Sequence, residues 1–106
     1  MDIALICPPD AGAATVRLCA AVEAGLVQRG YRISQDPEVQ TRLILDAESP
    51  SAAVLSARLT VERDGKRAQG ELGQLTVADR ASIPETQIDQ FAQALLSRAP
   101  LPTPQP

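Results

Sequence analysis

Residues 53–77 read AVLSARLTVERDGKRAQGELGQLTV. Asp64-Gly65 stands between two alternating runs. This dipeptide is the strongest short-range signal for a β-hairpin, because a type I′ turn needs positive φ at both central residues. With these residues in the turn, Arg63 pairs with Lys66 and the pairing continues outward. The whole stretch is therefore predicted to form one long hairpin, around which the rest of the fold is organised.

This pairing separates apolar from polar side chains. The apolar face holds Ala57, Leu59, Val61, Ala68 and Leu72. The other face holds Arg58, Thr60, Glu62, Arg67, Gln69 and Glu71. On that face Glu62 opposes Arg67 and Glu71 opposes Arg58, and each pair contributes about 0.2–1 kcal/mol. The two arginines are thus predicted to be cross-strand partners rather than anion ligands.

The alternation changes phase beyond Leu72, because Leu72 and Leu75 are three residues apart. A bulge near Gly73-Gln74 is predicted to restore the phase and to place Leu75 opposite Leu55. A hairpin with one apolar face is marginal in isolation, so the remaining elements must cover that face.

The composition restricts the class of protein. A chain of 106 residues forms one domain. A net charge of −3 and a pI near 4.8 argue against a nucleic-acid footprint, which needs a basic stripe. No stretch approaches the length of a membrane span. The first seven residues lack a basic segment and are not expected to be a signal peptide.

The order of elements is predicted to be β-α-β-β-β-β-α. Outside the hairpin, the predicted elements are a strand at 3–7, a helix at about 11–29, strands at 31–34 and 42–47, and a helix at about 83–98. The first strand, helix and strand form a parallel βαβ unit. The third strand is expected to be antiparallel to the second, because a short connection does not allow a crossover. Glu48–Ser51 is predicted to be a loop, Asp10 to cap the first helix, and Ser82 with Glu85 to form a capping box on the last.

These elements predict an α+β two-layer sandwich, with a mixed five-stranded sheet and both helices on one face. Residues 1–99 form the domain, and the Pro-rich residues 100–106 are expected to be a disordered tail. The outline resembles small envelope-associated assembly domains of bacteria, but no motif in the chain carries this likeness and no family is assigned from it.

The two cysteines, Cys7 and Cys19, are expected to stay free. Cys7 ends a strand and Cys19 lies well inside the following helix, so their Cα atoms are expected to be more than about 7 Å apart. Two buried free thiols indicate a reducing compartment. A cytoplasmic location is therefore expected, with a periplasmic location as the alternative if an export signal has been removed.

Little in the chain indicates catalysis. It contains no His, the commonest general base. Cys7 near a helix N-terminus is the best candidate nucleophile, but buried thiols are usually inert. Asp10, Asp46 and Glu48 could bind Mg²⁺ only if the first and third strands were parallel. No catalytic residue, cofactor or metal is therefore predicted, and the chain is not expected to be an enzyme.

Two functional hypotheses remain. The loop 8–15 joins a strand to a helix N-terminus, where anions bind in α/β proteins. An anion site at this loop would make the chain a small ligand-binding protein or enzyme, with contacts at Asp10, Gly12, Ala13 and Thr15.

The leading hypothesis is a non-enzymatic protein-interaction or assembly module. Both helices are expected on one face, so the apolar strands 3–6 and 43–45 must place some side chains on the open face. Its candidate contacts are Ile6, Ile44, Arg58 and Arg67, and its partner is another protein or a second copy of the chain. An exposed sheet edge is the alternative surface.

Overall fold

Strands and helices follow each other along the chain in the predicted order. The structure, a computed structural model, describes residues 2–8, 12–36, 38–51, 54–76, 84–99 and 101. Its elements are β1 (Asp2–Ile6), α1 (Ala13–Gln28), β2 (Arg32–Ile33), β3 (Thr41–Ser51), β4 (Val54–Arg63), β5 (Lys66–Gln69), β6 (Gly73–Thr76) and α2 (Glu85–Arg98). The strands form one sheet in the order β2-β1-β3-β4-β5, and β6 also pairs with β4. The α+β class is confirmed, and the expected fifth strand is divided into β5 and β6.

The central hairpin turns where the sequence predicts. Asp64 has a φ of 53° and Gly65 a φ of 78°, so both have the positive values of a type I′ turn. β4 and β5 pair in the predicted register as far as Thr60 opposite Gln69. The two turn residues therefore determine the register of this part of the sheet.

The bulge lies earlier than predicted. β5 ends at Gln69, and β6 begins with Gly73 opposite Ala57, so two residues of β4 face the three residues 70–72. Leu72 therefore does not join the apolar face, and it is 61% exposed. The prediction that Leu72 would pack in the core is wrong.

The packing of β6 under α2 explains why the bulge lies before Gly73. Gly73 is buried, and a Cβ atom there would lie 2.8 Å from Phe91 Cε1 and 3.2 Å from Leu95 Cδ2. A Cβ atom here would force the Phe91 ring to shift, so glycine lets α2 lie close to β6. The pairing then places Leu75 opposite Leu55, as predicted.

The direction of β3 differs from the prediction. β1 is parallel to both β2 and β3, with Leu5 opposite Leu43. A short connection suffices because β2 contains only two residues. β3 therefore begins at Thr41, soon after β2 ends at Ile33.

β3 is also longer than predicted. It was expected to end at Ala47 and be followed by a loop at residues 48–51. Instead, β3 reaches Ser51 and pairs antiparallel with β4, starting at Thr41 opposite Arg63. The register shifts only between residues 48 and 51, so β3 and β4 form the longest pairing of the sheet.

Both helices cover the same face of the sheet. Arg17 on α1 donates two hydrogen bonds to the Asp89 carboxylate on α2, from Nε to Oδ1 at 3.2 Å and from Nη2 to Oδ2 at 2.9 Å. This hydrogen-bonded ion pair raises the pKa of Arg17. Arg29 Nη1 donates to Gln93 Oε1 at 2.7 Å. This second contact joins the two helices about three turns further along α1.

The ends of α1 are only partly as predicted. Gly12 is its N-cap, and Asp10, the predicted cap, lies outside the described residues. At the other end, Gly30 has a φ of 94°, which suits the predicted left-handed residue after the helix. The Tyr31 N–H donates to the Leu26 carbonyl at 3.0 Å and closes this end.

The start of α2 also differs from the prediction. Its N-cap is Pro84, without a side-chain cap, whereas the predicted cap Ser82 lies outside the described residues. Of the predicted tail 100–106, the structure describes only Leu101, which packs against the core. Neither α1 nor α2 is long and apolar enough to cross a membrane.

The core lies between the helices and the inner face of the sheet. Its fully buried side chains include Ile3, Leu18, Val22, Leu26, Leu43, Leu45, Leu55 and Leu59. Because successive strand residues point to opposite faces, the strand residues that alternate with these core positions point away from the helices. This second face has no described helix or strand packed on it.

Candidate functional site on the outer face of the sheet

The outer face is the side of the sheet opposite the helices, and cross-strand rows of side chains define it. The first row is Ala4, Arg42, Glu62 and Arg67; the second is Ile6, Ile44, Thr60 and Gln69. The third contains Asp46 opposite Arg58, and the fourth contains Glu48, Ser56 and Gln74. The four predicted contact residues Ile6, Ile44, Arg58 and Arg67 therefore all lie on this face.

Apolar side chains on this face are open to solvent. Ile6 is 42% exposed, and Ile44 beside it is half-buried. Leu72, displaced outward by the bulge, is 61% exposed. Leu72 was missed by sequence reasoning, although its odd spacing from Leu75 was the signal that a bulge lay nearby.

Charged side chains occupy the first row. Glu62 Oε2 accepts a 2.8 Å hydrogen bond from Arg67 Nε, and Glu62 Oε1 lies 4.0 Å from Arg42 Nη1. The Glu62–Arg67 pairing is the predicted one. The row contains two arginines and one glutamate, so its formal charges sum to +1.

Arg58 has different neighbours from those predicted. Its expected partner Glu71 lies instead 3.8 Å from Arg98. Arg58 Nη1 donates to Gln69 Oε1 at 3.2 Å, while its Nε is buried and has no hydrogen-bond partner among the described residues. Asp46 is directly opposite Arg58 in the sheet, yet within the described part of the chain no ion pair joins the two.

A shallow pocket of about 480 Å³ opens beside Arg58. Its lining combines exposed apolar carbon with charge: Pro8, Asp46, Ala47, Glu48, Ser56, Arg58 and Leu72. Because β1 and β3 are parallel, Asp46 and Glu48 lie beyond the end of β1, a placement that the sequence argument had excluded. The described residues contain no group of three side chains able to hold a metal ion.

The alternative site at loop 8–15 is only partly described. Asp10 lies outside the described residues, Gly12 and Ala13 are exposed, and Thr15 is 4% exposed. The adjacent pocket of about 360 Å³ is lined by Cys7, Pro8, Thr15, Val16, Cys19, Ala20 and Glu23. This lining is mostly apolar and its only charge is negative, so it is unfavourable for an anion.

Cys7 and Cys19 form a disulfide, and the prediction of two free thiols is wrong. Their Cα atoms are 6.2 Å apart, within the usual range for a disulfide. The prediction failed because α1 begins at Ala13, later than expected, so that Cys19 lies less than two turns into the helix. In this oxidised form the described residues include no free cysteine, and Cys7 has no thiolate to act as a nucleophile.

No family model matches the chain, and no curated protein matches it significantly. Its site is therefore interpreted from geometry and charge alone.

Proposed function

We propose that this chain is a non-enzymatic protein-interaction or assembly module that binds its partner through the outer face of the sheet. The observation that carries the proposal is the exposure of Ile6 and Leu72 on a face without a described element over it. Exposed apolar side chains bordered by arginine and carboxylates are typical of interaction surfaces. Arg58 lies between them, and its Nε, which has no hydrogen-bond partner within the described ranges of the chain, becomes accessible to a partner after side-chain movement.

The face is better suited to binding than the sheet edges. β2 at one edge contains only two residues and offers little backbone for an added strand. β5 and β6 share the other edge, where β5 carries Lys66 and Arg67, charged side chains of a kind that protects edge strands from pairing, and β6 contains only four residues. Strand addition is therefore the less favourable mode.

The disulfide supports a location in an oxidising compartment. Disulfides persist in the periplasm and in secreted proteins but are rare in the cytosol. Of the two expected locations we therefore propose the periplasmic one, in place of the cytoplasmic one. The thiol state of Cys7 and Cys19 in freshly lysed cells, trapped by alkylation, tests this directly.

Site-specific photo-crosslinking in the cells that make the protein tests the use of the face. A photoreactive amino acid replaces Leu72, and the matched control replaces Val27, which is 58% exposed on the helical layer. We expect adducts of defined mass from position 72 only. Adducts of twice the chain mass indicate self-association, and other masses indicate a different protein.

A second substitution makes this test specific. Ile6→Asp places a charge on the same face and should abolish the adducts from position 72, whereas Val16→Asp on α1 should leave them intact. Circular dichroism establishes that each variant is folded. Equal adducts from positions 72 and 27, or adducts that persist with Ile6→Asp, would refute binding through this face.

A further inference from the structure

We propose that the partner on the outer face is a second copy of this chain, related by a two-fold axis that lies between the sheets and runs perpendicular to the strands. This inference rests on the proposed function and names its partner. Closed two-fold pairing is the commonest arrangement of homo-oligomers, and it requires a surface that is complementary to itself. The rows of the outer face meet this requirement.

The second row lies on the proposed axis. Rotation about an axis through this row places Ile6 against Ile6 and Ile44 against Ile44 of the second copy. These side chains are exposed and half-buried, respectively, in the single chain. Thr60 and Gln69 then also meet their own copies, so the centre of the interface would be apolar at β1 and β3 and polar at β4 and β5.

The same rotation exchanges the first and third rows. Arg42 then faces Asp46 of the second copy, and Glu62 faces Arg58 of the second copy, because these residues lie two positions on either side of the axis on β3 and β4. Each charge meets one of opposite sign, and two-fold symmetry makes every pair occur twice. The Arg58–Asp46 neighbours, which form no ion pair within the described part of one chain, each gain a partner.

A two-fold axis parallel to the strands and between β3 and β4 would also pair opposite charges, Arg42 with Glu62 and Asp46 with Arg58. It would, however, place Ile44 against Thr60 and Ile6 against Gln69 of the second copy. The twist of the two sheets, about 30° in aligned packings, displaces side chains two residues from the axis by only a few ångströms, which long arginine side chains can span. The contacts between the isoleucines of the second row therefore select the perpendicular axis.

The size of the face predicts a reversible association. Four strands about 4.8 Å apart and six to seven residues about 3.4 Å long give roughly 20 by 20 Å per copy, or about 800 Å² in total. This area is at the low end for specific complexes. The dimer should consequently depend on concentration and weaken with added salt.

Sedimentation velocity on the purified, oxidised chain tests the proposal from about 1 μM to about 1 mM, a range that covers weak associations. We expect the mean mass to rise from 11.2 kDa towards twice that value. Arg42→Glu alone or Asp46→Lys alone should raise the midpoint concentration by about ten-fold or more, because like charges then meet twice.

An equimolar mixture of the two variants is the decisive measurement. In a mixed pair the carboxylate introduced by Arg42→Glu faces the ammonium introduced by Asp46→Lys, and the unaltered Asp46 of the first chain faces the unaltered Arg42 of the second. Each mixed pair therefore regains two contacts of opposite sign, and association should return. Glu23→Lys on α1 and Arg63→Glu, which alternates with Glu62 and so points to the helical side of the sheet, repeat the two charge changes away from the outer face, and they should behave like the unaltered chain.

The outcomes separate this inference from the proposed function. A chain that stays at 11.2 kDa at every concentration, or variants that fail to restore each other, overturns self-association through this face. If crosslinks from position 72 then have the mass of another protein and vanish with Ile6→Asp, the interaction module remains and only the partner is wrong. If those crosslinks are also absent, both proposals fail.

Discussion

Reduction of the Cys7–Cys19 disulfide should destabilise the fold by about 3 kcal/mol. The two cysteines are 12 residues apart. Closing a loop of about this length removes roughly 9–10 cal/mol/K of entropy from the unfolded chain, or about 2.8 kcal/mol at 25 °C. The bond also ties the end of β1 to α1, so reduction should loosen the contact between the sheet and this helix first.

Urea unfolding with and without reductant measures this effect. With an m-value of about 1.5 kcal/mol/M, the midpoint should fall by about 2 M urea on reduction. The double variant Cys7→Ala/Cys19→Ala is the control, since its midpoint should be low and should not respond to reductant. An unchanged midpoint in the unaltered chain, or two reactive thiols after denaturation without reductant, would refute the disulfide.

Three further substitutions test particular contacts. Gly25→Ala should lower the free energy of unfolding by about 1 kcal/mol, because a Cβ atom there would lie 2.5 Å from Leu96 Cδ1 and the cost of overpacking exceeds the gain in helix propensity. In the Leu96→Ala background, Gly25→Ala should instead raise the free energy of unfolding. A destabilising effect of Gly25→Ala in both backgrounds would contradict this explanation. Gly65→Ala should cost about 1–2 kcal/mol in urea unfolding through its φ of +78° alone, whereas Gly65→Asn, whose side chain tolerates this backbone conformation, should cost less; equal costs would contradict the turn geometry. Burial raises the pKa of Tyr31 above 10.0, so its contribution to stability is complete below the unfolded pKa and is lost as the pH rises through the folded pKa. Tyr31→Phe should therefore flatten the loss of stability in alkaline urea titrations, and an unchanged pH profile would contradict this assignment.

The parts of the fold that could be predicted depend on neighbouring residues. Asp64-Gly65 specifies its turn because positive φ is a property of those two residues. The alternation of β4 then specifies which side chains are buried, since a shift of one residue would expose Leu59 and Val61. The period of 3.6 residues likewise assigns the apolar stripes of both helices, and these stripes indicate the two-layer architecture.

The candidate site was predicted only in part for the same reason. Arg58 could be placed on the outer face because alternation within β4 assigns faces, whereas the successive apolar residues of β3 left the facing of Ile44 open. Leu72 could not, because the position of the bulge depends on the close approach of α2 to Gly73. The partner of Arg58 was wrong in consequence, as the bulge moves Glu71 towards Arg98.

By itself the sequence determined the turn, the alternation and the helical stripes, which arise from interactions within a few residues. Tertiary structure alone decided that β3 is parallel to β1, that Cys7 meets Cys19 and that Leu72 points to solvent. Each of these depends on where distant elements begin and end, such as the two-residue length of β2 and the start of α1 at Ala13. Packing sets those boundaries, because side chains from separate elements must fill one core without overlap.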